Sequence, residues 1–476
     1  MSKGVIIILT YQDLQEAQRQ NTVMDFVREC ITEHQSSQEY QTAKIADDYY
    51  RRRNTTIVNY QKLLYTITGK AVVDKFTPNY KLCSGFFKIF TTQKVQYLLG
   101  NGVSWNDEST AKKLGNDFDA QLQQLAQYAK RGGEAYGFWN LDHMDIFKFT
   151  EFKKLQDENT SAIRAGVRFW QIDDSRPLRA TLYEEDGYTE YIWNERTKDG
   201  QRVSEGKILQ EKKPYILNIA GTEFDGMEIV DGDNYPTFPI VPLKANEFSD
   251  SELIGLRENI DCYDLIKSGF ANTVDEASML YWTINNAGGM DDVDLVKFVE
   301  HMRATKAAII EDDGARAEAH TIDLPYQSRE AILDRLEKDM YRDAMAFNPN
   351  EVIGGANTAT QIKAGYEAPD DDADEFEFQV IDFLQRILNL AGIEDEPTFT
   401  RSKIVNTQEE ISTLLQSGEY LPADYITEKV LTLLGDIDKK DEVLAMMDEE
   451  NARRLDSSWT TDIGNPTEGS QNLNAE

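Results

Sequence analysis

From Ser249 onward the chain reads as one long amphipathic helix, and no other feature of the sequence limits the architecture so strongly. Apolar side chains recur at Leu253, Leu256, Ile260, Tyr263, Ile266, Phe270, Val274, Ala277 and Tyr281, always three or four residues apart, which makes a single stripe. Ser249 followed by Glu252 is a capping-box start. About 30 residues at ~1.5 Å each predict a rod of roughly 45 Å. Glu258, Asp261, Asp264 and Asp275 lie off the stripe. The stripe has to be covered, either by a second helix of the same chain or by like helices of neighbouring copies in a ring. Periodicity alone allows both.

Asn285-Asn286-Ala287-Gly288-Gly289 ends this helix and opens a compact insert to Pro325, with Asp294 to Ala304 helical and Ala307-Ala308-Ile309-Ile310 a short strand. A second helix follows with Ile332, Leu336, Met340, Ala344 and Phe347 on its stripe, stopping before Pro349. Asn348 to Thr358 is small, polar and glycine-bearing. A third long helix resumes near Ala359, crosses the acidic run Asp370-Asp371-Asp372 and reaches about Ala391. Beyond Gly392 a helical domain is expected over roughly 405–455, then a Ser/Asn/Thr/Gly-rich tail.

Upstream, residues 11–66 read as polar, Gln-rich helix containing Arg51-Arg52-Arg53; consecutive helical residues point about 100° apart, so three arginines there do not grip one phosphate groove together. Phe86 to Gly100 is a helix stopped by Gly100-Asn101-Gly102, and a further helix is predicted from Asp107 to Arg131. A strand-rich stretch then runs to about 245. Within it Glu184-Glu185-Asp186-Gly187 joins two strand segments as a hairpin, and the prolines of Phe238-Pro239-Ile240-Val241-Pro242 demote that run to an edge strand or connector. The class expected is α+β, predominantly helical.

Composition and motifs exclude several classes of function. Asp and Glu total 84 against 50 Lys and Arg, a net of −34, so contact with nucleic acid is expected to be weak or local. Cys30, Cys83 and Cys262 have neither metal nor disulfide spacing and read as ordinary buried thiols. Val5 to Leu9 is too short for a signal core, and no run approaches the roughly 18–20 apolar residues needed to span a bilayer, so neither standard secretion nor membrane insertion is expected. His34, His143, His301 and His320 fit no H-E-x-x-H; no G-x-S-x-G, P-loop or dinucleotide fingerprint occurs. Asp291-Asp292-x-Asp294 and Asp370-Asp371-Asp372-x-Asp374 lack the glycine and closing glutamate of a calcium loop and read as solvated surface or ring interface. No catalytic residue, metal site or cofactor is assigned.

The order long helix, small insert, second helix, Gly/Asn loop, long helix and helical end resembles the portal proteins of tailed bacteriophages, above all those of siphophages of Gram-positive bacteria. The residues that carry the likeness are Phe238 to Glu247, Ser249-Asp250, Ile260-Asp261-Cys262-Tyr263-Asp264, Thr321-Ile322-Asp323-Leu324-Pro325 and Gly354-Gly355-Ala356-Asn357-Thr358. Upstream, Val95 to Val103 and Ala165 to Trp170 with Leu182-Tyr183 add to it. The resemblance covers about residues 55–455. It implies N-terminal helices and a β-containing wing at 1–250, a first stem helix at 251–284, a clip at 285–325, a second stem helix at 326–347, a tunnel loop at 348–358, a long spine helix at 359–393, a helical crown at 394–456 and a tail at 457–476.

It further implies a cyclic ring of about twelve copies at one capsid vertex. The ring would conduct DNA pumped by a separate terminase, retain it and release it to the tail. Implied partners are other copies, the terminase large subunit, a head-completion adaptor, major capsid and scaffolding proteins, and transient non-specific double-stranded DNA, with no membrane. The expected location is the virion after assembly in the host cytoplasm. Asn348, Asn350, Glu351, Val352, Ile353, Gly354, Gly355, Ala356, Asn357 and Thr358 are the candidate tunnel loop, and Lys297, His301, Arg303 and Lys306 a basic helical face for partners of the clip. Two other readings stay open: another phage capsid or assembly subunit, or an acidic carboxylate-based hydrolase.

Overall fold

The computed structural model describes residues 8–65, 70–75, 77–173, 175–198, 201–217, 223–224, 227–228, 232–277, 281–285, 316–320, 326–350, 363–403, 407–417, 420–434 and 439–462. The chain divides into two units, residues 1–348 with 366–402, and residues 349–365 with 403–476.

The first unit opens with α1 (Tyr11–Gln20), α2 (Val23–Ser36), α3 (Gln38–Tyr50) and a short α4 (Thr55–Asn59). Polar side chains set the starts. Asp13 Oδ2 accepts from Thr10 N (2.9 Å), Ser37 Oγ from Tyr40 N (3.1 Å) and Asn54 Oδ1 from Ile57 N (3.1 Å). Arg51, Arg52 and Arg53 lie in the turn between α3 and α4 rather than within a helix, all exposed. A ribbon of β1 (Leu63–Tyr65) and β2 (Ala71–Val73) follows, then α5 (Phe86–Leu99), β3 (Val103–Trp105), α6 (Glu108–Leu114) and α7 (Phe118–Gly132). The single helix expected over 107–131 is thus two, because Gly115 takes a φ of +95° that no helix continues through.

Two sheets come next. β4 (Glu134–Asn140), β5 (His143–Lys148) and the later β15 (Ile240–Lys244) make a three-stranded sheet in the order β15-β4-β5, with the proline-bearing β15 at its edge as its composition requires. β6 (Phe152–Gln156), β7 (Ile163–Trp170), β8 (Leu178–Glu184), β9 (Gly187–Lys198) and β10 (Gln201–Lys213) form a five-stranded antiparallel meander. Glu184 pairs with Gly187, so Glu185-Asp186 is the two-residue turn of the expected hairpin. β11 (Ile216–Leu217), β12 (Glu223–Phe224), β13 (Met227–Glu228) and β14 (Gly232–Asp233) are short strands before β15.

Strand alternation places two cores on this meander. Leu178, Ala180 and Leu182 pack with Phe26, Val27 and Ile31 of α2, while Tyr183 turns to the other face and joins Tyr136, Phe138, Phe147 and Phe152. A third core gathers α5, α7 and the three-stranded sheet around α10 (Glu367–Ala391), whose Phe376, Val380, Phe383, Leu384 and Ile387 lie on one face. Gly392, in the left-handed region at φ +67°, closes that helix. Gly133 closes α7 at φ +88°, and a Cβ there would stand 2.1 Å from the Ser249 carbonyl oxygen. Gly133→Ala is therefore expected to cost at least ~1–3 kcal/mol, read as a lower unfolding midpoint, with the same change at exposed Gly255 costing less.

The long helix departs from expectation at both ends. Helix α8 is Arg257–Ala277, 21 residues or about 31 Å rather than roughly 45 Å. Ser249 takes φ +58°, and Glu252 is held by two lysines instead of closing a capping box. At the other end Tyr281 belongs to β16 (Tyr281–Asn285), which pairs antiparallel with β17 (Arg316–His320). Then come α9 (Tyr326–Asp343), α10 and β18 (Pro397–Phe399), the last pairing with β3. The second unit contains α11 (Thr407–Gln416), α12 (Ala423–Leu434) and α13 (Lys440–Asp462), so a helix occupies 457–462 where tail was expected.

Candidate functional site

Helices α8 and α9 form an antiparallel hairpin: Asn259 meets Asp343 (3.3 Å), and Arg329 Nη1 donates to Thr273 Oγ1 (3.1 Å). Its root is aromatic. Phe86 and Phe90 of α5 pack against Tyr263 (5.0 Å, edge to face) and Tyr341 (5.1 Å), beside Leu253, Leu256, Ile260 and Met340. Away from the root the cover thins. Ile260 is buried, Tyr263, Ile266 and Phe270 are half-buried, and Val274 is 49 % exposed; on α9 Met340 is buried, Leu336 half-buried and Ile332 48 % exposed. Among the described residues, cover along both stripes thus falls with distance from the root.

The off-stripe face of α8 carries the part that periodicity missed. Asp264 Oδ1 accepts from Ser84 N (2.9 Å), Ser268 Oγ from Leu82 N (3.0 Å) and Asn272 Oδ1 from Tyr80 N (2.7 Å). Four helical residues rise about 6 Å and two residues of an extended chain about 6.6 Å, so alternate amides of segment 80–84 match every fourth residue of α8. Asn54 Nδ2 also donates to Asp264 Oδ2 (2.9 Å), Thr56 to Asp261 Oδ2 (2.8 Å), and Tyr49 to Asp261 Oδ1. Burial pushes the Asp264 carboxyl above its usual range despite these donors. The spacing 264, 268, 272 of short acceptors was the available signal for this strap.

Just before α8 stands a buried charge cluster. Lys94 Nζ of α5 lies 2.7 Å from Glu252 Oε2 and 2.6 Å from Asp372 Oδ1; Lys130 Nζ of α7 lies 2.9 Å from Glu252 Oε1, 3.9 Å from Asp372 Oδ2, and over the Phe376 ring at 4.1 Å. Burial pushes the Glu252 carboxyl up, but the ammonium groups of Lys130 and Lys94 outweigh it and hold the carboxyl at about 2. The same carboxylates push Lys94 up, so its charge persists. The Asp370–Asp374 run is thus not the solvated patch its composition suggested. Asp372 is in this cluster, and Arg401 reaches Asp370, Asp374 and Glu377 (2.7 Å to the last). Asp371 alone of the Asp370–Asp372 triplet is exposed.

Of the candidate loop, Asn348 is half-buried and Asn350 exposed; Glu351, Val352, Ile353, Gly354, Gly355, Ala356, Asn357 and Thr358 lie outside the described residues. The chain's points of departure and return are held together. Phe347 stacks on Tyr366 (4.4 Å, 8°), Tyr366 on Tyr97 (5.6 Å, 10°), and Gln93 Nε2 donates to the Phe347 carbonyl (2.9 Å). Lys297, His301, Arg303 and Lys306 also lie outside the described residues, as does Asp291-Asp292-x-Asp294; the strands β16 and β17 flank that insert. Among the described residues no group of three His, Cys, Asp or Glu is placed to hold a metal, and no helix is long and apolar enough to cross a membrane. The thiols differ from expectation: Cys30 is buried and pushed up, Cys83 is half-buried and Cys262 exposed.

Among the described residues the hairpin is rooted at one end and bares apolar side chains of both stripes toward the other. The model of the family "Phage portal protein, SPP1 Gp6-like" matches residues 30–456, and the chain belongs to that family. The portal protein of Bacillus phage SPP1 is 23 % identical over 398 residues, covering 77 % of this chain and 76 % of that one. The portal protein of Clostridium phage phiCD119 is 21 % identical over 380 residues, covering 73 % and 80 %. Among solved structures, the neck of the native GTA particle computed with C12 symmetry is similar at a TM-score of 0.42 and 10 % identity, covering 72 % of this chain and 87 % of that one. The virion of the native gene transfer agent particle gives 0.41 and 11 %, covering 73 % and 87 %. The role is that of a structural head–tail connector in a virion.

Proposed function

We propose that about twelve copies close into a cyclic ring through whose channel double-stranded DNA enters the capsid, is retained, and leaves to the tail. The observation that carries this reading is the paired loss of cover along α8 and α9 among the described residues, since neighbouring copies supply cover for Val274 and Ile332. The reading needs no catalysis by this chain: the terminase large subunit drives the DNA, docking at residues 285–325 with Lys297, His301, Arg303 and Lys306 as contact face. A head-completion adaptor binds the same end afterwards. Major capsid and scaffolding proteins surround the ring, which assembles in the host cytoplasm. The net charge of −34 per copy disfavours sticking of a polyanion to the channel wall and leaves DNA contact transient and non-specific.

In this reading residues 1–250 are the N-terminal helices and wing, α8 and α9 the stem, residues 285–325 the clip, 348–358 the tunnel loop, α10 the spine and 394–456 the crown. The stacked Phe347, Tyr366 and Tyr97 support the loop assignment, because they hold the chain's departure at 347 beside its return at 366. Gly354 and Gly355 give it a backbone that changes shape at low cost. Gly354→Leu with Gly355→Leu is expected to leave rings intact while changing the length or yield of packaged DNA. Packaging unchanged in both respects removes the loop from the channel.

A further inference from the structure

The turn before the hairpin is more tightly built than its sequence demands. Asn246 Oδ1 accepts from Asp250 N (3.0 Å), Asn246 Nδ2 donates to the Asp250 carbonyl (3.0 Å), and Ser249 N donates to the Asn246 carbonyl (3.2 Å). Ser249 holds φ +58°, an uncommon conformation for a residue with a side chain. On this turn Phe248 stands 80 % exposed, flanked by the exposed carboxylates of Glu247 and Asp250. Isolated exposed apolar residues are ordinary, but a bare aromatic ring on a turn locked three ways is a presented group.

Elsewhere in the same unit is a hollow of about 390 Å³ between α4, segment 79–81 and the hairpin. Tyr60, Tyr80, Leu265 and Ile332 line it, each close to half exposed, and its polar lining includes the cations Lys62, Lys81 and Arg329. The residues around Phe248 and those lining the hollow do not overlap, and the chain's own Phe248 stands outside it. We propose that Phe248 of one copy fills this hollow on the next copy around the ring. The proposal rests on the ring reading and names its contact.

Three features favour a second copy as the occupant. A cyclic ring joins two different patches of each subunit, a projection on one and a recess on the other. A few buried anchors seated in pockets, aromatic ones among them, carry most of the energy of a protein contact. Copies carrying −34 each repel one another, so two carboxylates meeting three cations relieve that repulsion where the surfaces touch.

The test uses the full chain and two variants, Phe248→Asp and Ile332→Asp, both at exposed positions, with far-UV circular dichroism as the control for folding. The wild-type chain is expected as rings by native mass, and each variant alone as monomer with an unchanged spectrum. Mixed, the two variants retain one intact Phe248 and one intact hollow, so a 1:1 dimer and no ring is expected. Rings of wild-type mass from Phe248→Asp overturn the contact and leave the ring standing. So does a mixture of monomeric variants that yields no dimer. A wild-type chain that is itself monomeric overturns the ring reading and this contact with it.

Discussion

Replacing Lys130 by methionine is expected to lower stability by about 3–5 kcal/mol, among the largest effects of any single change in the chain. The side chain is 2 % exposed and faces Glu252, whose own side chain is 15 % exposed, with Asp372 behind it. Two lysines and two carboxylates balance as they stand; removing one ammonium leaves a buried negative charge without its share of the attraction. Methionine keeps most of the volume, so the loss reports charge rather than a cavity. Adding Glu252→Gln to Lys130→Met restores balance and should recover a large part of the loss in a double-mutant cycle on chemical unfolding. A single-variant loss below about 1 kcal/mol contradicts the cluster as described. The acid limb offers a second readout. A carboxyl held at about 2 contributes stability that is present above its ordinary value of 4.5 and lost as pH falls toward about 2. Lys130→Met should flatten that limb.

Asp264→Ala is expected to cost about 2–4 kcal/mol, because it orphans the Ser84 amide and the Asn54 amide group at once. Asp264 is fully buried, so no water replaces the lost acceptor cheaply. Asp275→Ala on the same helix loses a 3.3 Å contact with the exposed hydroxyl of Tyr80 and is expected to cost less than about 1 kcal/mol. Hydrogen exchange at Leu82 and Ser84 should rise in Asp264→Ala well before global unfolding. Equal costs for the two variants would mean that segment 80–84 is not fastened through Asp264.

The order of helices and strands was readable because local chemistry decides it: glycine stops at 100 and 102, the turn at Glu185-Asp186, the proline edge at 242, the stripes of α8 and α9. The ends of α8 were not. Tyr281 falls in phase with a 3.6-residue stripe, yet Tyr281-Trp282-Thr283-Ile284 is also a good strand, and its partner Arg316–His320 lies far along the chain. Ser249 and Glu252 have the spacing of a cap, but Glu252 is claimed by Lys94 and Lys130 from two other helices. For the same reason the run holding Asp372 read as solvated surface or ring interface, and Asp264 only as off the stripe: the partners that bury these acids are 278 and 180 residues away. The order of parts carried the class of function; the charge count spoke only to weak or local contact with nucleic acid, and said nothing about which carboxylates are spent inside the fold.

Native mass spectrometry of the purified full-length chain, with negative-stain images of the same sample, bears most directly on the central claim. The expected result is a closed ring of about a dozen 54.3 kDa subunits around a central hole. A uniform monomer or dimer under the same conditions contradicts it.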